Sequence, residues 1–162
     1  MHAKARFLGH SVHQMLVVFP LGLLATAVVF DLIYLAGRSQ VMAAVSYWMI
    51  AAGLVGGVLA APFGTIDWLS IPAGTRAKRI GAMHGAGNAV VLLLFALSFL
   101  LRDRDYAPVP SQMVWAFAGA ALALVTAWLG GELVDRLAVG VDEDADLNAP
   151  SSLRKPHTET GK

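Results

Sequence analysis

Four apolar runs, each long enough to cross a lipid bilayer, constrain this chain more than anything else in it. A helix needs roughly 20 residues at about 1.5 Å of rise to cross about 30 Å of hydrocarbon. Met15 to Ala36, Val41 to Ile66, Ile80 to Leu101 and Val114 to Val134 meet that length, and no other stretch does. The first holds one interior charge, Asp31, and the second holds none. The third carries His84 and Asn88 in its first two turns, and the fourth has Glu132 near its end. The connections Gly37 to Gln40, Asp67 to Arg79 and Arg102 to Met113 leave no room for a soluble domain. Consecutive spans are therefore expected to be antiparallel neighbours in one all-α, integral membrane four-helix bundle of up-down topology.

Composition agrees with lipid as the solvent. Of the 162 residues 57% are hydrophobic and only 14% charged, where soluble chains carry about 25%. The absence of cysteine excludes disulfide frameworks, cysteine-ligated zinc or iron–sulfur sites, thiol catalysis and c-type haem attachment, and leaves noncovalent haem open. A net charge of +1 gives no argument for a nucleic-acid partner. The distribution of that charge is informative, because cytoplasmic loops retain lysine and arginine during insertion. Lys4, Arg6, Arg76, Lys78, Arg79, Arg136, Arg154, Lys155 and Lys162 fall on one side of the threading, against Arg38, Arg102 and Arg104 on the other. Setting aside the distal Arg154, Lys155 and Lys162 keeps the bias, so both termini are expected in the cytoplasm. Residues 1–139 then form the membrane domain, and 140–162 an acidic, disordered tail beginning with Asp142, Glu143, Asp144 and Asp146. A cleavable signal peptide ending near Ala25 to Ala27 is the competing reading of the first span. The apolar stretch runs well past that point, and cleavage would leave an odd number of spans.

Small residues should let the helices approach: Gly53 and Gly57 continuing to Ala61, Gly81 with Gly85, and Gly119, Ala123 and Ala127. Pro20 and Pro62 should kink their helices, and Tyr47, Trp48, Trp68, Tyr106 and Trp115 should anchor at the interfaces. Asp31 needs a partner, and a backbone or hydroxyl group near the outer interface is favoured over a proton relay. Three small-residue faces exceed what a minimal bundle needs, which makes a homodimer plausible.

The threading gathers the remaining polar residues at the cytoplasmic end: His10 and His13 before the first span, Thr65 and Asp67 closing the second, His84 and Asn88 opening the third, Glu132 closing the fourth. If the segment holding His10 and His13 is helical, their spacing puts both imidazoles on one face, where they could bind one ion. His84 and Asn88 share a face in the same way. Two histidines on different helices can supply the axial ligands of haem b. A transition-metal site would use the same histidines with Asp67 or Glu132 as oxygen ligands. Equally, His10 and His13 can be interfacial caps, and His84 and Asn88 interhelical glue. Arg76, Lys78 and Arg79 read as orientation determinants rather than an anion-binding patch.

The stretches GHSVHQMLVVFPLGL (Gly9 to Leu23), APFGTIDWLSIPAGTRAKRIGAMHGAGN (Ala61 to Asn88) and WLGGELVDRLAVGVDEDADL (Trp128 to Leu147) resemble the bacterial inner-membrane proteins of domain-of-unknown-function family 2231. The resemblance runs from Gly9 to about Leu147 and implies a four-span fold in the bacterial cytoplasmic membrane without supplying a reaction. Some relatives stand beside or are fused to redox modules, which suggests electron transfer by association only. His10, His13, His84 and Glu132 match the family pattern, whereas Leu137 stands where relatives often have a histidine.

The leading expectation is a small redox or metal-binding membrane subunit. His84 and one of His10 or His13 would hold haem b or a transition metal, with Asn88, Asp67 and Glu132 around them and a redox protein as partner. No catalytic residue set stands out. The alternative is a non-catalytic scaffold or partner subunit whose histidines only pack. A transporter or channel is weaker, since four spans offer no polar path across the membrane without oligomerisation.

Overall fold

A computed structural model of the chain describes residues 3–102 and 108–153. The sequence-based expectations at Arg104, Tyr106, Arg154, Lys155 and Lys162 lie outside those residues. Among the described residues four helical stretches are long and apolar enough to cross a membrane: Val12–Gly37, Gln40–Ser70, Arg76–Leu101 and Pro110–Arg136. Each contains one of the expected spans and extends it at one or both ends.

The chain opens with a hairpin in which β1 (Arg6–Phe7) pairs antiparallel with β2 (His10–Ser11). Leu8 and Gly9 turn it with φ of 50° and 88°, the left-handed region that Gly9 tolerates at no steric cost. A short helix α1 (Val12–Leu16) leads into α2 (Val18–Gly37). The break after Leu16 has a local cause, because the ring of Pro20 clashes with the carbonyl four residues earlier and offers that carbonyl no N–H. Helix α3 (Gln40–Ser70) runs unbroken through Pro62. At 31 residues it is about 46 Å long, well beyond the hydrocarbon thickness, so it tilts or protrudes. Helix α4 (Arg76–Leu101) begins on Thr75, whose hydroxyl accepts from the Lys78 N–H at 3.1 Å, the usual N-cap bond. Helix α5 (Pro110–Gly131) has its proline in the first position, where the missing N–H costs nothing. A single π-helical turn, Glu132–Arg136, closes the bundle.

α2 packs chiefly on α3 and α4 chiefly on α5, and the two pairs meet through α3 with α4 and α2 with α5. Leu24, Ala27, Ile50, Val91, Phe95 and Ala116 form the central core, so every long helix contributes. Tyr34, Ala43 and Met113 form a second cluster. Large apolar side chains also cover the outside, including Leu32, Val58, Leu93, Leu100 and Leu124, as a surface facing lipid tails requires. Close approach depends on glycine where the sequence suggested it. A Cβ on Gly53 would stand 2.6 Å from Leu24, and one on Gly119 would stand 2.9 Å from Phe95. Gly85 meets nothing within 4 Å, and Gly87 instead sits against the methyl of Thr126.

At one end of the bundle a buried ionic network joins all four helices. Asp31 of α2 and Arg102 at the end of α4 form a two-pronged ion pair, with Nη1 donating to Oδ1 at 2.7 Å and Nη2 to Oδ2. Nη1 also reaches Ser46 of α3, while Nε and Nη2 reach the hydroxyl of Ser98. Ser46 in turn donates to Asp31, and Ser98 donates to the Gln112 carbonyl of α5. All five guanidinium N–H groups thus have an acceptor. The hydroxyl partner expected for Asp31 is present in Ser46, and Arg102, the residue that follows α4, adds the two-pronged ion pair.

Candidate functional site

The opposite end carries the histidines, and the hairpin places the first of them. Asp67, near the end of α3, accepts the N–H groups of Lys4 at 2.7 Å and Ala5 at 3.1 Å through Oδ1, and the Ser11 hydroxyl at 3.3 Å through Oδ2. The N-terminal segment is thereby pinned across the end of α3, and α1 follows directly. From α1, His13 points its Nδ1 at the Ala60 carbonyl, 3.1 Å away. Its ring lies flat against the backbone at Gly64, where a Cβ would fall 2.7 Å from Cε1. Only glycine admits that approach.

His84 repeats this arrangement in the other helix pair. Its Nδ1 lies 2.9 Å from the Thr126 carbonyl of α5, and a Cβ on Gly130 would stand 3.1 Å from its Cε1. In both cases the receiving helix offers a carbonyl at one position and a glycine four residues on, Ala60 with Gly64 and Thr126 with Gly130. A carbonyl only accepts, so each neutral imidazole carries its proton on Nδ1 and presents a lone pair at Nε2. For His84 that lone pair meets the Asn88 amide nitrogen at 3.1 Å, and the Asn88 carbonyl accepts the Thr126 hydroxyl at 2.9 Å.

The other expected site residues stand apart from this pair. His10 lies in β2, not in a helix, so it does not share a helical face with His13; the left-handed turn at Leu8 and Gly9 is the reason. It is exposed, with Nδ1 3.2 Å from the Leu8 carbonyl. The Asp67 carboxylate is engaged by the N-terminal segment. Glu132 accepts from Arg76 at 2.6 Å, joining the start of α4 to the π turn. Lys78 donates to the carbonyls of Trp68 and Leu69 at the end of α3, while the Trp68 indole donates to the Lys78 carbonyl. Leu137 follows the π turn directly. Among the described residues no group of three or more His, Cys, Asp or Glu side chains is placed to hold a metal ion.

Sequence reasoning did not single out Thr126, Gly64, Gly130 or the Ala60 carbonyl. A lone hydroxyl residue in the fourth span was the available signal for Thr126, but a backbone acceptor leaves no mark in a sequence.

The family model described as "Predicted membrane protein (DUF2231)" matches residues 9–143. No curated protein and no solved structure matches the chain.

Proposed function

The chain belongs to the DUF2231 family of predicted membrane proteins, and on that premise we propose that it is a small membrane subunit that holds haem b or a transition-metal ion between His13 and His84. One observation carries this reading: two imidazoles from different helix pairs are tethered alike, each by Nδ1–H to a neighbouring carbonyl and each seated on a glycine. Such a tether fixes the tautomer, orients the ring and makes Nε2 a better donor to a metal. The subunit sits in the bacterial cytoplasmic membrane with both termini in the cytoplasm and its four spans threaded up and down. It passes its charge or ion to a partner protein, alone or as a homodimer. Purification in mild detergent followed by an absorption spectrum and elemental analysis tests it. A haem spectrum, or a metal in about equimolar amount that is lost in His84→Ala, is the expected result. A colourless, metal-free protein that takes up neither haem nor metal sinks it. Reporter fusions at each loop test the orientation.

A second reading, a scaffold whose histidines only tie helices together, is favoured by the Asn88 amide that fills Nε2 of His84 and closes a ring of three hydrogen bonds. It expects His84→Gln to leave folding and partner binding intact with no ligand lost.

A further inference from the structure

We propose that the outer face of α4 binds one anionic phospholipid, its phosphate at Lys78 and Arg79 and an acyl chain along the helix below them. An open cleft of about 380 Å³ between the end of α3 and the start of α4 is lined by Trp68, Gly74, Thr75, Lys78, Arg79 and Ala82. None of these residues is acidic. Arg76, Lys78 and Arg79 read in the sequence as a group of orientation determinants, and the fold gives them different tasks. Arg76 is answered by Glu132. Lys78 lies across the end of α3, its ammonium 4.1 Å from the centre of the Trp68 ring and bonded to the carbonyls of Trp68 and Leu69. Two of its three N–H groups are thus used and one is left to offer. Arg79 is exposed, and its guanidinium has no hydrogen bond or ion pair among the described residues. A fixed ammonium and an unpaired guanidinium lining one cleft suit a phosphate, for which both groups are common partners.

What lies below the cleft favours a lipid over a soluble anion. α4 is 26 residues long, about 39 Å, against about 30 Å of hydrocarbon. Its charged first turn stands at headgroup level beside Trp68, where an amphipathic ring is at home. From Arg79 the exposed positions continue at helical spacing through Met83, Ala86, Val90 and Leu93. One surface therefore carries a cation among the headgroups and apolar side chains into the hydrocarbon, the two-part chemistry of a phospholipid. The upper part of that surface is also shallow. A Cβ on Gly85 would meet nothing within 4 Å, and Ala82, Ala86 and Ala89 beside it are exposed, so an acyl chain can lie in the furrow they leave. Small residues also admit a second copy of the chain. Two copies in one membrane keep the same orientation, so pairing on this face would bring two Arg79 guanidinium groups to one depth across a twofold axis. An anionic headgroup brings the opposite charge instead.

The test uses the full chain in mild detergent, supplied with phosphatidylglycerol, phosphatidylethanolamine or inorganic phosphate, and native mass spectrometry counts what each protein molecule keeps. One phosphatidylglycerol per chain, kept several-fold in preference to phosphatidylethanolamine, is the expected result. Arg79→Gln should weaken that retention about fivefold, the worth of one cation near an anionic lipid surface, and Arg79→Lys should keep most of it. Arg79 has no protein partner to lose, so the helical signal in circular dichroism should not change. Gly85→Leu fills the furrow and should lower retention with the fold intact. Arg38→Gln, at the other end of the bundle, should leave retention as it was. Phosphatidylethanolamine kept as well as phosphatidylglycerol, or a preference that survives Arg79→Gln, overturns the proposal. Inorganic phosphate held as firmly as the lipid makes this a soluble-anion site and overturns it too, as does a dimer that forms on this face and excludes the lipid.

Discussion

The two ends of this bundle solve the same problem in opposite ways. At the Asp31 end, polar groups inside the membrane are completely paired: a carboxylate and a guanidinium that water hardly reaches, with two serines and a carbonyl taking up every remaining donor. At the histidine end the two imidazoles are half-buried and each tethered through Nδ1, His13 to the Ala60 carbonyl and His84 to the Thr126 carbonyl, with the Asn88 amide on the other nitrogen of His84. Charge inside the low-dielectric bundle is costly and persists only when nearly every donor and acceptor is matched. Side chains held by single hydrogen bonds to backbone carbonyls make no such demand. The difference teaches at which end the loss of a single side chain should cost the most.

Breaking the ionic end should have the largest effect. Arg102→Leu leaves Asp31 buried without its counter-charge and is expected to cost about 3–5 kcal/mol of stability, whereas Asp31→Leu combined with Arg102→Leu should return to within about 2 kcal/mol of the parent chain. Reversible unfolding in mixed micelles measures both, and a tolerated single replacement would show that the pair is not held as described. Gly64→Ala comes next. Its Cβ would collide with the His13 ring, and overpacking of this kind costs about 1–3 kcal/mol, so a neutral result by the same measurement would mean that His13 does not lie there. Thr126→Val removes one interhelical hydrogen bond and should cost about 1 kcal/mol or less. The contrast between that value and the Arg102 value is the sharpest measure of how the two ends differ. Gly85→Ala, with open space around it, should stay within about 0.5 kcal/mol. Asp67→Ala should leave the bundle intact and speed hydrogen exchange at the amides of Lys4 and Ala5, which lose their acceptor; unchanged exchange would remove Asp67 as the anchor of the hairpin.

The four spans were legible because transfer into hydrocarbon is governed by composition over some 20 residues, which a sequence displays directly. Their ends were less so. α3 continues from Ile66 to Ser70 and α4 begins at Arg76 rather than Ile80, since polar residues can complete a helix in the interfacial zone. Gly53 and Gly119 could be anticipated as contact points, but not that Gly85 would face outward. At the histidine end the residue types were legible in the sequence. Its wiring was not, because His13 and His84 bind backbone carbonyls and every residue has one. Asp31 was visible as needing a partner. Arg102, the first residue after an apolar run, reads in the sequence as a loop charge, and only the folded bundle sets it beside Asp31.

The Asp31–Arg102 pair also joins parts of the chain that are made at different times. The two residues are 71 positions apart, so the first two helices emerge from the ribosome long before the guanidinium that neutralises their acid. Until the third long helix arrives, the nascent hairpin carries a carboxyl that lipid does not accept in its ionised form. A chain truncated before residue 102 lacks the counter-charge of Asp31 and is expected to be degraded faster than the full chain, which a pulse–chase measurement checks.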